Sequence, residues 1–300
     1  FHNEKTPSFK ISASNDFYKC FGCGISGDVF SFVMNQMKLN FNDSVQYVAK
    51  YYSYDLEVEV KEYIKPVQRL EKIHPNFIKY FEDRGISNDT LLRFKITQAK
   101  EWMPKAKSEV NAVCFNYFRD GELINIKFRG PNKDFKMAKD AELIFYNIDA
   151  IKDEKECIIV EGEIDALSMH ECGIYNVVSV PNGTTPKGAM RLPYLDNCYE
   201  YFADKTKIII ATDNDEVGKR LKDELSRRIG REKCFEIVFP DDCKDSNDVL
   251  IKHGKTALKS IVENAKQFPI DGIVDPNEIT KDLYEIFKNG YPKGIKPGID

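Results

Sequence analysis

Three short acidic stretches, each arriving just after an apolar run, constrain this chain more than any other feature. Cys157-Ile158-Ile159-Val160 leads into Glu161-Gly162-Glu163-Ile164-Asp165, and Ile208-Ile209-Ile210-Ala211-Thr212 into Asp213-Asn214-Asp215. Phe235-Glu236-Ile237-Val238-Phe239 leads, past Pro240, into Lys244-Asp245-Ser246-Asn247-Asp248. The apolar runs read as strands, at 157–160, 207–212 and 235–239, with another at 177–181. Helical patterns fall between them, at roughly 165–172, 217–229 and 248–265. That alternation predicts a parallel, helix-covered sheet. In such sheets ligands bind beyond the carboxyl ends of the strands, which is where Glu161, Asp213 and Asp245 fall. A lone acidic residue after a strand is commonly a helix cap, and Asp165 fits that plain role. Five carboxylates on one rim, however, would repel one another unless cations lay between them. Hard ions such as Mg²⁺ prefer oxygen ligands, and two of them can hold an attacking hydroxyl and a phosphoryl leaving group together.

At 300 residues there is room for two or three domains, and 42% hydrophobic with 31% charged residues excludes a chain dominated by disorder. The net charge of −4 gives no whole-molecule attraction to nucleic acid. Any such contact must come from a local basic patch. No apolar run approaches ~18 residues and no signal peptide is read, so neither a transmembrane helix nor a membrane partner is expected. Most of the eight cysteines sit inside apolar runs, as reduced thiols of a cytoplasmic protein do.

Cys20 and Cys23 are the exception. Phe9–Ser12 and Phe17–Cys20 alternate as two short strands, and Cys20-Phe21-Gly22-Cys23-Gly24 follows as a knuckle with His2 upstream. A tetrahedral zinc site takes four N or S ligands, and His2, Cys20 and Cys23 supply three. Helices are expected at 27–37 and 42–52, a polar linker at 53–68, and a helix from His74 to Arg84 stopped by Gly85. Cys114–Phe118 and Glu122–Phe128 read as strands joined through Arg119-Asp120-Gly121. Ile124, Ile126 and Phe128 face one way, and Asn125, Lys127 and Arg129 the other. From Arg119 to Lys139 there are six basic and three acidic residues. That segment is either a solvated strand face or a cluster, built on Lys127, Arg129, Lys133 and Lys136, that holds triphosphate or template backbone.

The run Phe1-His2-Asn3-Glu4-Lys5-Thr6-Pro7-Ser8-Phe9, then Phe17 to Gly24, then Gly27 to Met34, resembles the zinc-binding domain of bacterial and phage DNA primases. In that family a cysteine precedes the histidine, so the fourth ligand is expected upstream of Phe1 and the sequence is expected to be a fragment. Glu161 to Ala166, a second strand ending in Pro181-Asn182-Gly183, and Asp213 to Gly218 resemble the TOPRIM domain of primases, topoisomerases and some nucleases. Lys244-Asp245-Ser246-Asn247-Asp248 is similar to the variant in phage bifunctional primase-helicases and their mitochondrial relatives. The basic strand resembles the subdomain that primases place before this domain.

The resemblance implies an α/β fold: a TOPRIM parallel sheet with flanking helices, an N-terminal zinc-ribbon-like β domain and an α+β basic subdomain. The implied divisions are 1–60, 70–152, 153–268, and a linker helix at 269–300 leading toward an absent helicase domain. Pro269 would end the catalytic part, and Asn277–Lys288 would form the linker helix. The resemblance makes Glu161 an acid/base or metal-organising carboxylate and Asp213 and Asp215 direct ligands of Mg²⁺ or Mn²⁺. Asp165 and Asp245 stand behind them. Gly162 and Gly183 allow close backbone approach or serve plain turns, and Lys219 and Arg220 reach phosphate or are solvated helix charges. The implied activity is RNA primer synthesis on single-stranded DNA from ribonucleoside triphosphates, in the cytoplasm of a bacterial or phage-infected cell. A metal-dependent nuclease would share the carboxylates without a reason for the zinc ribbon and basic strand, and a non-catalytic helicase anchor would not need the carboxylates.

Overall fold

The computed structural model describes residues 1–12, 17–56, 62–67, 73–182, 191–268 and 288. The expected linker helix at Asn277–Lys288, apart from Lys288, and the positions of Pro269 and Gly183 lie outside the described residues. Phe1–Gln267 form one unit of the chain and Phe268–Asp300 another.

The chain opens with a small antiparallel sheet of β1 (Phe9–Ser12), β2 (Phe17–Cys20) and β3 (Ser26–Gly27). Too small to build a large core, it relies on stacked rings: Phe1 lies 5.4 Å from Tyr18, and Phe32 meets Tyr18 edge-on at 5.4 Å. Helix α1 (Val29–Met37) starts where the Asp28 carboxylate accepts from the Ser31 amide. Helix α2 (Phe41–Tyr51) starts on Asn40 in the same way. Both follow the apolar spacing of the sequence.

A four-stranded antiparallel sheet comes next, preceded by α3 (Pro75–Glu82) and α4 (Asn88–Arg93). Its order is β4 (Thr97–Met103), β5 (Ser108–Arg119), β6 (Glu122–Gly130) and β7 (Asp134–Met137). The hairpin turn sits where expected. Asp120 (φ 52°) and Gly121 (φ 76°) are both left-handed, the twist that a two-residue hairpin turn needs. Ile126 and Phe128 pack with Ala99, Met103, Ala112 and Cys114 on one face. The other face, read from sequence as polar, is covered as well: Asn125 and Lys127 are buried beside Phe115 and Tyr117. Tyr117 and Phe115 meet Tyr146 edge-on at 5.0 and 6.0 Å, and Phe81 meets Phe115 at 6.4 Å. A solvated strand face is thereby excluded for Lys127.

The third part alternates strands and helices: β8 (Glu156–Val160), α5 (Glu163–Glu171), β9 (Val177–Ser179), α6 (Pro193–Asp196), α7 (Tyr199–Ala203) and β10 (Lys207–Ala211). It continues with α8 (Glu216–Ile229), β11 (Cys234–Glu236), α9 (Ser246–Glu263) and β12 (Lys266–Gln267). The sheet order is β12-β11-β10-β8-β9. Four strands are parallel, as expected, and β12 adds an antiparallel edge. Strand β11 ends at Glu236, short of the expected Phe239. Among the described residues no helix is long and apolar enough to cross a membrane.

Candidate active site

The register brings the acidic stretches together. Ala211 pairs with Val160 in neighbouring parallel strands, so both chains leave the sheet at the same level and deliver Asp213 and Glu161 side by side. The Asp213 amide donates to Glu161 Oε2 at 3.2 Å. The loop after β11 folds back to the same rim, where the Asn214 amide donates to the Lys244 carbonyl at 2.8 Å. Oxygens of Asp165, Asp213 and Asp245 all lie within 4.8 Å of one another. Gly218 is what allows helix α8 to start so close to β10, since a Cβ there would meet the Asp213 carbonyl oxygen at 2.1 Å. Gly162 has the close-approach role as well: its backbone is extended (φ −122°), and a Cβ would press on Asp165 Oδ2 at 2.8 Å.

Capping falls on other residues than the sequence suggested. Asp165 is not a cap. It lies buried in the first turn of α5 and accepts from the Asn247 amide at 3.1 Å. The caps are Asp215, whose Oδ1 takes the Val217 and Gly218 amides at 3.0 and 2.9 Å, and Asp245, which takes the Asp248 amide at 2.8 Å. Asp215 Oδ2 is turned to the rim, 3.2 Å from the Lys244 ammonium, which also sits 2.7 Å from Asp213 Oδ2. Lys244 thus bridges the two carboxylates, a relation that nothing in its local sequence announces.

Electrostatics follow from this crowding. Burial, and then the Asp213 charge, raise the Glu161 carboxyl to about 7. Burial pushes Asp165 well above the carboxylate range, with Asp245 and Asp213 adding to it. Asp213 and Asp245 are raised as well, chiefly by burial. Asp215 is lowered by the amides of the helix it caps, Gly218 first. Oxygen-only donors with excess negative charge fit a hard divalent cation, and these residues can hold Mg²⁺ or Mn²⁺.

The expected basic cluster is divided. Lys127 reaches toward the rim and pairs with Glu163 of α5, at 2.8 and 3.1 Å, where Glu163 also accepts from the Tyr117 hydroxyl. Arg129 points to the same face, its guanidinium 5.3 Å from the Tyr80 ring and 5.1 Å from that of Phe135. Lys136 is registered opposite Phe128 and therefore projects from the other face, where it pairs with Glu101 at 2.7 Å. Directly paired residues share a face, so the Phe128–Lys136 register sets Lys136 apart from Lys127 and Arg129 and divides the expected cluster. Lys133 is exposed in the turn before β7. Lys219, at the start of α8, pairs with Glu216 at 2.9 Å. Glu163 is a site residue the sequence did not single out. Its place in the first stretch was visible, its partnership with β6 was not.

At the N-terminus, donor atoms of His2, Cys20 and Cys23 converge within 4.8 Å, with Cys20 Sγ 3.5 Å from His2 Nδ1. The Ser8 hydroxyl at 3.3 Å, more than any other neighbour, lowers the Cys20 thiol to about 7. A Cβ at Gly22 would strike His2 Nε2 at 2.4 Å, so glycine is required in the knuckle. Nitrogen and thiolate donors so placed fit zinc.

Residues 1–64 match the family described as CHC2 zinc finger, and residues 158–250 the one described as Toprim-like. The Twinkle homolog protein, chloroplastic/mitochondrial, of Arabidopsis thaliana is 33% identical over 246 residues, covering 76% of this chain and 34% of that protein. A DNA primase of Clostridium acetobutylicum is 28% identical over 326 residues, covering 88% of this chain and 53% of that protein. The chain therefore spans about a third of the one relative and about half of the other. Among solved structures, the primase fragment of the bacteriophage T7 primase-helicase protein superposes with a TM-score of 0.53 at 20% identity, over 83% of this chain and 91% of that one. At that identity the likeness is one of fold.

Proposed function

This chain, a CHC2 zinc finger followed by a Toprim-like domain, is a homologue of DNA primases, and from that premise we propose that it makes short RNA primers on single-stranded DNA. In this reading residues 1–60 are the zinc-ribbon domain, 70–152 the basic subdomain, 153–268 the Toprim domain, and 269–300 a linker toward a helicase domain. The observation that carries the reading is the physical join between the carboxylate rim and the basic sheet. Lys127 of β6 is held 2.8 Å from Glu163, two residues after Glu161. A nuclease needs the rim alone. A polymerase of nucleotides needs the rim beside cations that can take a triphosphate.

Glu161, Asp213 and Asp215, backed by Asp165 and Asp245, would hold Mg²⁺ or Mn²⁺. Bound there, divalent ions supply charge neutralisation and orientation for phosphoryl transfer. The protein's own groups do the rest. Glu161, whose Oε2 accepts the Asp213 amide at 3.2 Å, would either organise the metal or act as acid/base toward the attacking 3′-hydroxyl. Lys127 and Arg129 face the rim side and would bind the triphosphate of the incoming ribonucleotide, with the exposed Lys133 on template backbone; Lys136, on the opposite face and paired with Glu101, takes no part. Lys244, if displaced from Asp213 by a bound ion, would supply a further cation beside the rim. His2, Cys20 and Cys23 would hold zinc and so shape the surface that reads unstacked template bases.

Primer synthesis on single-stranded DNA with labelled ribonucleotides and Mg²⁺ tests this directly. Asp213→Ala is expected to lower the rate at least 10²-fold, the scale on which an electrostatic catalytic group acts. Template cleavage without ribonucleotide incorporation would establish the nuclease instead.

A further inference from the structure

A second cluster of metal donors lies outside the carboxylate rim. We propose that Asp242, Cys243 and His253 form a site for a borderline-soft divalent ion such as Zn²⁺, clasping the loop before α9 to the helix itself. Asp242 and Cys243 stand on that loop, where the Cys243 amide closes a turn onto the Pro240 carbonyl at 2.9 Å. His253 comes from the middle of α9, next to Gly254, where the helical path breaks with φ 83° and ψ 175°. Its Nε2 lies 3.1 Å from each oxygen of Asp242, and Cys243 Sγ lies 3.6 Å from Asp242 Oδ1. All three donors fall within 4.8 Å of one another.

The 3.1 and 3.6 Å separations are near the edges of a zinc tetrahedron. Bonds of ~2.0 Å to nitrogen and oxygen and ~2.3 Å to sulfur place the donors roughly 3.3–3.6 Å apart. Cys243 is buried, whereas Asp242 and His253 are exposed, so a fourth position is open to water. Without an ion the three are joined by the His253–Asp242 contact and by the Cys243 thiol donating to Asp242 Oδ1, so the donors are already gathered on one carboxylate. The donor chemistry also separates this site from the rim. Oxygen-only ligands there suit a hard ion, while nitrogen, sulfur and oxygen here suit zinc. Lys244 and Asp245 directly follow the cluster, so an ion bound there would brace the loop that supplies both to the rim. The site itself does not depend on the primase reading.

The test is metal stoichiometry of the full chain, stripped with chelator and titrated with Zn²⁺, then with Co²⁺ to follow thiolate-to-metal absorption. Cys243→Ser and His253→Ala are each expected to bind one ion fewer than the parent. The Co²⁺ difference spectrum should lose one thiolate's absorption in Cys243→Ser. Whatever His2, Cys20 and Cys23 bind is common to all three proteins and cancels. His253→Ala changes an exposed residue and decides the question alone should Cys243→Ser not fold. Equal stoichiometry in parent and His253→Ala would overturn the site.

Discussion

Lys244 is the residue whose setting says most about how the rim works. Its ammonium lies 2.7 and 3.2 Å from the Oδ2 atoms of Asp213 and Asp215, so it neutralises the oxygens that a divalent ion would use. Those carboxylates in turn raise its own affinity for a proton, Asp213 first. Lysine and metal therefore compete for the same oxygens. Lys244→Met is expected to tighten Mn²⁺ binding several-fold in the absence of nucleotide, measured by isothermal titration calorimetry. An unchanged or weaker affinity would rule out competition. The candidate carboxylates were legible in the sequence because each follows an apolar run. Their division of labour was not: Asp215 and Asp245 cap helices with one oxygen, whereas Asp165, the residue that looked like a cap, is buried against Asn247.

Between elements, one carboxylate does the work of a fastener. Glu171, at the end of α5, accepts from the amide and hydroxyl of Ser87 at 2.7 and 2.6 Å, from the Thr90 hydroxyl at 2.6 Å and from Lys255 of α9 at 2.9 Å. It thereby ties the start of α4, ahead of the antiparallel sheet, to two helices of the parallel one. Burial alone would raise this carboxyl, but those partners, Ser87 foremost, hold it down to about 2. Because the folded value is depressed, the stabilisation is present above the unfolded value of ~4.3 and is lost as pH falls toward 2. Glu171→Ala removes the charged acceptor of the buried Thr90 hydroxyl and of the exposed Ser87, and should lower stability at pH 7 by about 1–3 kcal/mol. The difference from the parent should shrink below pH 4 in chemical denaturation, and a constant difference down to pH 2 would contradict the assignment. Helices α5, α8 and α9 and strands β8 and β10 were readable from periodicity. Helices α4, α6 and α7 and strand β4 were not, because helices of six residues or fewer carry too little pattern, and in β4 polar residues dominate.

Across the molecule, the zinc-ribbon part rests on the far end of α8. Arg227 pairs with Asp28 at 2.7 Å, the Arg228 guanidinium lies 4.4 Å from the Phe41 ring, and Asn42 donates to Asp196 at 3.0 Å. Asp215 begins the same helix, twelve residues before Arg227, about 18 Å away along the axis. Met34 and Phe41 also line a shared pocket with Leu195, Phe202 and Ile229, and the partly exposed ion pair itself contributes about 1 kcal/mol or less. Arg227→Ala is expected to loosen this contact, seen as faster proteolytic cutting within residues 52–74 of the full chain. Cutting at the parental rate would show that the ion pair does not hold it. By itself the sequence determined the strand-then-carboxylate rim and offered the Cys20–Cys23 knuckle with His2 upstream as candidate zinc donors, because each short stretch can be read from consecutive residues. Only the tertiary structure decided that Lys244 bridges the rim, that Lys136 turns away from Lys127, and that Glu163 joins the two sheets. Those facts depend on chain return between residues 29 to 36 positions apart or on opposite faces of a hairpin, and no local pattern encodes such distances.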